Sequence, residues 1–554
     1  MSEQKIIQLF KEQKFEQAER FVLELLNKES KNLKYIFYYG IILAQKKNYD
    51  KALEKFHIVI NEDTNHYDSN FNAANCYQGL LNFDKAIEYY NRCLKIIPDK
   101  WEPFLQIGVC YRQLREYKKS IYYLLETLKI LPSAHSYYVL GNVYREMGNF
   151  EDAEKTFILS LKQDAKYTKS KISLANLEID RGDYKKSIIM LNEVLVSVTS
   201  SKNNMLIANV QMAKIYMFQG DYSKAIKINQ QVLEEDPRNT DALYNQSICY
   251  LFMKEFEKAW KLHEERFNLD IFVQLKQISR SLYKPRWDEN RPKKNILIYS
   301  EQGIGDQILY SQFIEVIQNQ FVNITLAVNN KLIPFFEKIF LKCKIIDYKK
   351  INVFQNYDFH LPMGSLGLFF QSLITKNNLQ KRIGYEPNSK RIPKKIKKVR
   401  CGVSWKSTNK LTGLKKSINL NQLRDLFLHE NIEFINLQYS DEKEEINKLE
   451  DDLKKTLFTN HNINCFEDID GVAGLINSCD FVITVSNSNA HISGKLGVKT
   501  FLLLPQHDGK LWYWGLNTDT EIDWYPSIKP LRQDNDGHWD NCISLLSKEI
   551  ENYL

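Results

Sequence analysis

The sequence predicts a helical repeat followed by two parallel α/β units, an α + α/β fold class, on three observations. A small residue follows an aromatic at a near-constant spacing up to Ala259. After Phe267 the pattern changes to short apolar runs separated by helical stretches. Glycine and proline are scarce, 21 and 13 of 554 residues, which favours long helices and excludes collagen-like or linker-rich chains.

The repeat comes first in the chain. Phe15/Ala18, Tyr49/Ala52, Phe83/Ala86, Tyr117/Ser120, Phe150/Ala153, Tyr184/Ser187, Tyr222/Ala225 and Phe256/Ala259 share an aromatic–x–x–small phrase. Successive small residues are 34, 34, 34, 33, 34, 38 and 34 apart. A second small residue lies twelve positions before each of the last seven: Gly40, Ala74, Gly108, Gly141, Ala175, Ala213 and Ser247. Pro98, Pro132 and Pro237 mark helix ends. Two helices of about a dozen residues, touching through small side chains, fit this spacing. The longer gap, at Ser197–Asn204, predicts one helix extended by a turn.

These positions resemble the tetratricopeptide repeat family, implying about eight helical hairpins over residues 1–267 with a curved inner face for a protein or peptide. Asn75, Asn142 and Asn176 each follow a small residue of a first helix; they read either as solvated helix residues or as amides for an extended peptide.

Residues 268–291 read as a linker, 292–385 as a first α/β unit and 398–554 as a second. Strands are expected at 295–300, 324–328, 344–347 and 358–361, then at 400–405, 433–437, 480–485 and 500–504, with helices between them. The basic stretch 381–400 is a solvated connection or faces an anionic ligand. A last helix near 540–553 is expected to pack across the domain.

Composition narrows the function. The net charge of +8 is spread along the chain, so no nucleic-acid face is expected. The nine cysteines form no C-x-x-C pair, which argues against zinc and dithiol chemistry and for a reducing, cytoplasmic setting. No secretory leader and no transmembrane run is expected.

Ligands of parallel sheets bind at the carboxyl ends of the strands. Gly303 and Gly305 lack a third glycine, Ile308 standing in its place, and the second strand ends Val328-Asn329-Asn330 without an acid. A dinucleotide is therefore not expected. The strand ending at Val485 runs into Ser486, Asn487, Ser488 and Asn489 and then a helix with His491 near its start. Such a turn cradles a diphosphate, or simply caps the helix.

The ordered motifs Glu301–Asp306, Gly402–Lys406, Lys416–Ile418, Asn436–Gln438, Val485–Gly497 and Trp524–Gln533 resemble the heptosyltransferase-type domain of glycosyltransferase family nine, in the branch fused behind tetratricopeptide repeats. The resemblance implies a GT-B fold and inverting, metal-independent hexosyl or heptosyl transfer from a nucleotide-sugar, with no further cofactor. The donor then binds the second unit and the acceptor the first. Asp306 matches the general base, with a helix cap as its alternative role. Lys406 and Lys416, or its neighbour Lys415, match positions near the donor phosphates, and Ser486, Asn487, Ser488 and His491 match the donor loop. Gly303, Gly305 and Gln307 fall on the acceptor side of the cleft. The chain departs from the family at Ser486-Asn487, where Asp-Thr is common, and at Tyr513, where arginine is common. The implied setting is cytoplasmic, extending to the inner face of a membrane. A protein O-linked N-acetylglucosaminyltransferase shares the domain order but fits these motifs less well. The rival class is a non-catalytic repeat scaffold with a nucleotide-sugar-binding or degenerate transferase domain.

Overall fold

The computed structural model describes residues 2–198, 200–269, 278–279, 282–374, 384–387, 391–393, 397–408, 413–440, 443–448, 457–460, 462–506, 509–534 and 537–554. The remainder of the linker, of the basic connection and of the helix expected around 442–453 lies outside them. The chain divides into two compact units, 1–204 and 205–554.

The first unit is a helical repeat from α1 (Ser2–Lys11) to α12 (Tyr184–Val196). Its small residues are set by backbone approach. A Cβ placed on Gly40 would lie 2.7 Å from the Phe56 ring, on Gly108 2.8 Å from Leu124, and on Gly141 2.5 Å from the Phe157 ring. Serine replaces alanine at two repeats because its hydroxyl has a partner there. Ser120 Oγ donates to the Gly108 carbonyl at 2.7 Å and Ser187 Oγ to that of Ala175 at 2.8 Å. Each hairpin turns through a residue with positive φ, two positions before the aromatic: Gln13, Lys47, Leu81, Arg115, Gly148 and Gly182, continued by Gly220 and Lys254. Of the amides, Asn75 Oδ1 accepts from Tyr90 at 2.6 Å and Asn142 Oδ1 from Ser173 at 3.5 Å.

The second unit opens with the last four repeat helices: α13 (Lys202–Gln219), α14 (Tyr222–Glu235), α15 (Thr240–Phe252) and α16 (Phe256–His263). The 18-residue α13 carries the extra turn that the longer gap requires. A 3-10 turn, Glu264–Asn268, follows.

The first sheet has β1 (Asn295–Tyr299), β2 (Asn323–Val328), β3 (Cys343–Asp347) and β4 (Phe359–Pro362) in the order β3-β2-β1-β4. The second has β5 (Val399–Ser404), β6 (Ile432–Asn436), β7 (Leu457–Phe458), β8 (Phe481–Val485), β9 (Lys499–Leu504) and β10 (Ile528–Arg532) in the order β10-β9-β8-β5-β6-β7. Every ladder is parallel. Strand order reverses between β1 and β4 and between β5 and β8, where open α/β sheets form their binding crevices. Helices α17 (Ile304–Ile317), α18 (Ile333–Ile339) and α19 (Leu366–Phe370) accompany the first sheet. Helices α20 (Gly413–Lys416), α21 (Arg424–Phe427), α22 (Lys443–Asn447), α23 (Ile469–Asn477), α24 (Ser488–Leu496) and α25 (Asp540–Glu551) accompany the second. On α25, Cys542, Leu546 and Ile550 pack with Phe434, Phe481 and Phe501 of the second sheet, so this helix covers its own half and does not cross to the other.

The sequence changes character at Phe267, but the compact unit begins at 205. Trp260 of α16 explains the difference. It makes edge contacts with Tyr310, Phe313 and Trp512, and its Nε1 donates to Gln371 Oε1 at 2.9 Å. Gly367 admits the indole, since a Cβ there would lie 2.2 Å from it. One apolar core therefore runs from Met217 to Trp524. The two α/β halves join through α17 and α24: buried Lys495 pairs with Glu315 at 2.5 Å and donates to Gln312 Oε1 at 3.0 Å.

Gly141→Val inserts atoms where Phe157 already sits. It should lower the stability of the first unit by about 1–3 kcal/mol in urea unfolding, with helix content at zero denaturant unchanged.

Candidate functional site

The site is built at the start of α17. Gly303 is the N-cap in extended backbone, and Asp306 lies in the first turn. The Asp306 carboxylate draws on the Gly303 N–H and on its own, so the capping role is real. Burial nonetheless pushes its carboxyl up to about 6, against the pull of those N–H groups and of Lys416. Burial, and after it the Asp306 carboxylate, holds the Tyr513 phenol well above its ordinary value.

Opposite this turn stands His491 on α24. A Cβ on Gly305 would lie 2.8 Å from its Cδ2, so glycine is what lets the two halves close here. The imidazole Nδ1 is 3.0 Å from the Tyr525 hydroxyl and the ring centroid 4.7 Å from that of Trp514. Burial, with Lys416 second, pulls His491 down to about 3, so it is neutral at physiological pH. Lys416, buried at the end of α20, is lowered by burial and raised by Asp306. Asp306, Gly305, Lys416 and His491 are thus brought together from both halves.

The other expected donor-side residues serve different contacts. Asn487 is the N-cap of α24: its Oδ1 accepts from Asn489 N at 3.0 Å and from Thr484 Oγ1 at 3.1 Å. Its Nδ2 donates to Ser404 Oγ at 2.8 Å and to the Lys406 carbonyl at 3.2 Å. The amide therefore ties the end of β5 to the end of β8 across the strand-order reversal. Ser486 Oγ accepts from Trp514 Nε1 at 2.9 Å, and Ser488 is half-buried in the first turn of α24. Lys406 presents its carbonyl to this turn, while its ammonium pairs with Glu445 at 2.6 Å. Gln307 is a strut: Nε2 donates to the Gln302 carbonyl at 2.9 Å and Oε1 accepts from Asn329 N at 3.0 Å. Ser486, Asn487 and Gln307 thus hold the architecture through their side chains. The contacts that claim them join residues far apart in sequence.

Three features of the site lie outside the expected site residues; of these, Tyr513 was read only as a departure from the family. Arg266, fully buried after α16, donates to Glu301 at 2.6 and 3.0 Å, to Glu264 at 2.8 Å and to Ser365 Oγ at 2.7 Å. Glu301 also accepts from the Gly364 N–H, so it spans the strand-order reversal of the first sheet. Second, Tyr513 stands beside the carboxylate. Third, a cavity of about 240 Å³ lies beside Asp306, with walls from α13, α15, α16, α17 and residues 510–513. The Glu301 motif was the one available signal; Arg266 and the cavity depend on tertiary contacts alone. Among the described residues no three His, Cys, Asp or Glu side chains gather in position to hold a metal ion.

Tetratricopeptide-repeat models match residues 67–100, 134–167 and 207–239, and these repeats make up the N-terminal all-helical region. An Est1 DNA/RNA-binding model matches residues 86–130, which here lie within the same run of repeated helices. Protein FlbA of Caulobacter vibrioides is 25% identical over 321 residues, 53% of this chain. The chain spans about half the length of that curated relative, 52%. Among solved structures, a tetratricopeptide repeat protein from Parabacteroides merdae is 18% identical with a TM-score of 0.40, covering 44% of this chain and 96% of its own. A thermophilic repeat protein from Thermus thermophilus is 16% identical with a TM-score of 0.28, covering 32% and 96%. No described helix is long and apolar enough to cross a membrane.

Arg266→Met leaves Glu301 buried without its cation and Glu264 with Arg286 alone. It should destabilise the second unit by about 3–5 kcal/mol in urea unfolding, far more than lost packing alone. Asp306 gives a pH signature. Its proton is held more tightly in the folded chain, so protonation favours the fold. That contribution is complete below the unfolded value near 4 and is lost as pH rises through about 6. Between pH 4 and 7 the wild type should lose about 2 kcal/mol more stability than Asp306→Asn, read from urea midpoints at both pH values.

Proposed function

We propose that the second unit is a GT-B-type inverting glycosyltransferase, transferring a hexosyl or heptosyl group from a nucleotide-sugar to an acceptor hydroxyl. The repeat helices recruit the acceptor or its carrier. The observation that carries this reading is the meeting of Asp306 from the first half with Lys416 and His491 from the second, at the carboxyl ends of two parallel sheets. A carboxyl raised to about 6 is ionised at neutral pH yet basic enough to accept a proton.

In the step proposed, Asp306 takes the proton of the acceptor hydroxyl as that oxygen bonds to the anomeric carbon. The bond from that carbon to the nucleotide breaks, and Lys416 meets the negative charge that gathers on the leaving phosphate. The backbone N–H groups opening α24 supply further donors on the same side. The resemblance assigns no metal and no cofactor to this chemistry. The repeat suggests a protein partner for the acceptor arm, and the nine free cysteines fit a cytoplasmic setting or the inner face of a membrane.

A repeat scaffold with a degenerate domain remains the second reading, favoured by the full engagement of the Asn487 amide and by the Lys406–Glu445 pair. Calorimetry against a panel of nucleotide-sugars separates the two. A transferase should bind at least one donor, hydrolyse it slowly or transfer it, and show kcat/KM rising to a plateau above about pH 6. Asp306→Asn should bind the same donor and lose turnover by about 10²–10⁴-fold. Donor binding without turnover in wild type, or turnover intact in Asp306→Asn, would overturn the assignment.

A further inference from the structure

The cavity beside Asp306 is built largely by the repeat. Phe218 comes from α13, Tyr244 from α15 and His263 from the end of α16, while Trp512 and Tyr513 close it from the second α/β half. Asp306 lies in its wall, so a group seated there presents an atom to the carboxylate.

His263 is the unexplained member. It is 2% exposed, and neither ring nitrogen has a hydrogen-bond partner among the described residues. Its ring is held at centroid distances of 5.6 Å from Tyr244 and 5.5 Å from Trp260. Buried polar groups are normally paired, and an unpaired donor and acceptor are unfavourable. A buried neutral imidazole without a partner among the described residues is poised for a ligand with hydroxyl groups, which both accept and donate.

Volume and lining select among such ligands. At about 240 Å³ the cavity is smaller than the 300–1,000 Å³ typical of drug-sized sites and suits one ring-sized group. A serine or threonine side chain would leave most of it empty. Aromatic faces on several sides, interspersed with the polar groups of Tyr244, Gln302, Tyr310 and Lys510, match the apolar C–H faces and equatorial hydroxyls of a sugar ring.

We infer that this cavity is an acceptor subsite for a neutral pyranose, with His263 of the last repeat hydrogen-bonding one sugar hydroxyl while another faces Asp306. The inference rests on the transferase reading for the role of Asp306, but the binding site stands on its own geometry. The repeat then contributes directly to the reaction centre.

The test uses the full chain and a panel of neutral methyl glycosides, read by tryptophan fluorescence and saturation-transfer NMR. At least one glycoside should bind. His263→Leu should weaken that binding tenfold or more, and His263→Gln should keep it within a few-fold. Thermal melting supplies the control. Since neither His263 ring nitrogen has a hydrogen-bond partner among the described residues, the leucine variant should melt at or above the wild-type temperature. Glycoside binding unchanged in His263→Leu, or binding of serine, threonine or tyrosine peptides with no glycoside bound, would overturn the inference. A lowered melting temperature in His263→Leu together with equal loss in His263→Gln would assign the residue to structure and overturn it too. Nucleotide-sugar calorimetry is read separately. Glycoside binding without donor binding sinks the transferase reading alone, and donor turnover that ignores His263 sinks the subsite alone.

Discussion

The contact on which the rest of the second unit depends is the buried pair of Arg266 and Glu301. Both side chains are almost wholly excluded from solvent, so the attraction is nearly unscreened and the desolvation of both ions must be offset by hydrogen bonds. Glu264, Ser365 and the Gly364 N–H supply them. The pair fixes three things at once: the exit of the last repeat, the turn that begins at Glu301, and the loop after β4. Asp306 lies five residues beyond Glu301, so the position of the candidate base is set by a cation that the repeat donates.

Polar side chains at the second strand-order reversal work in the same way. Asn487 clamps the ends of β5 and β8, and Gln438, which follows β6, clamps the ends of β6 and β5: Gln438 Oε1 accepts from Trp405 N and Lys406 N, both at 3.0 Å. Once these amides are satisfied internally, the remaining free polarity of the crevice falls to backbone N–H groups and to Lys416. The common acid of the donor loop is absent, and the clamp is neutral throughout.

Much of this was legible in the sequence, for physical reasons that differ by region. The repeat was plain because each hairpin meets the same steric demand: Gly40, Gly108 and Gly141 all face a large side chain sixteen residues on. The positive-φ turn was hidden because five of its eight positions carry side chains. Strand β10 was missed because Pro530 interrupts it, which an edge strand of the sheet tolerates. The start of α24 was placed too late because its polar opening reads as turn, whereas Asn487 caps it. Asp306 and His491 were legible because they fall within the motifs that carry the family resemblance. His263 and Arg266 were not, since they sit at the end of a helical repeat with no pattern to mark them, and tertiary packing alone carries them to the site.

The division of the chain at residue 204 bears on how such a protein varies over generations. Each hairpin of a repeat array contacts mainly its neighbours, so whole hairpins are gained and lost by duplication and deletion. Upstream of residue 204 the hairpins form a compact unit of their own, and that freedom is theirs. The final two hairpins have lost it: Trp260 and Arg266 bind them to the α/β core. Descendants of this architecture are therefore free to lengthen or shorten the run of hairpins before residue 204, while the hairpins packed on the α/β core stay constant in number.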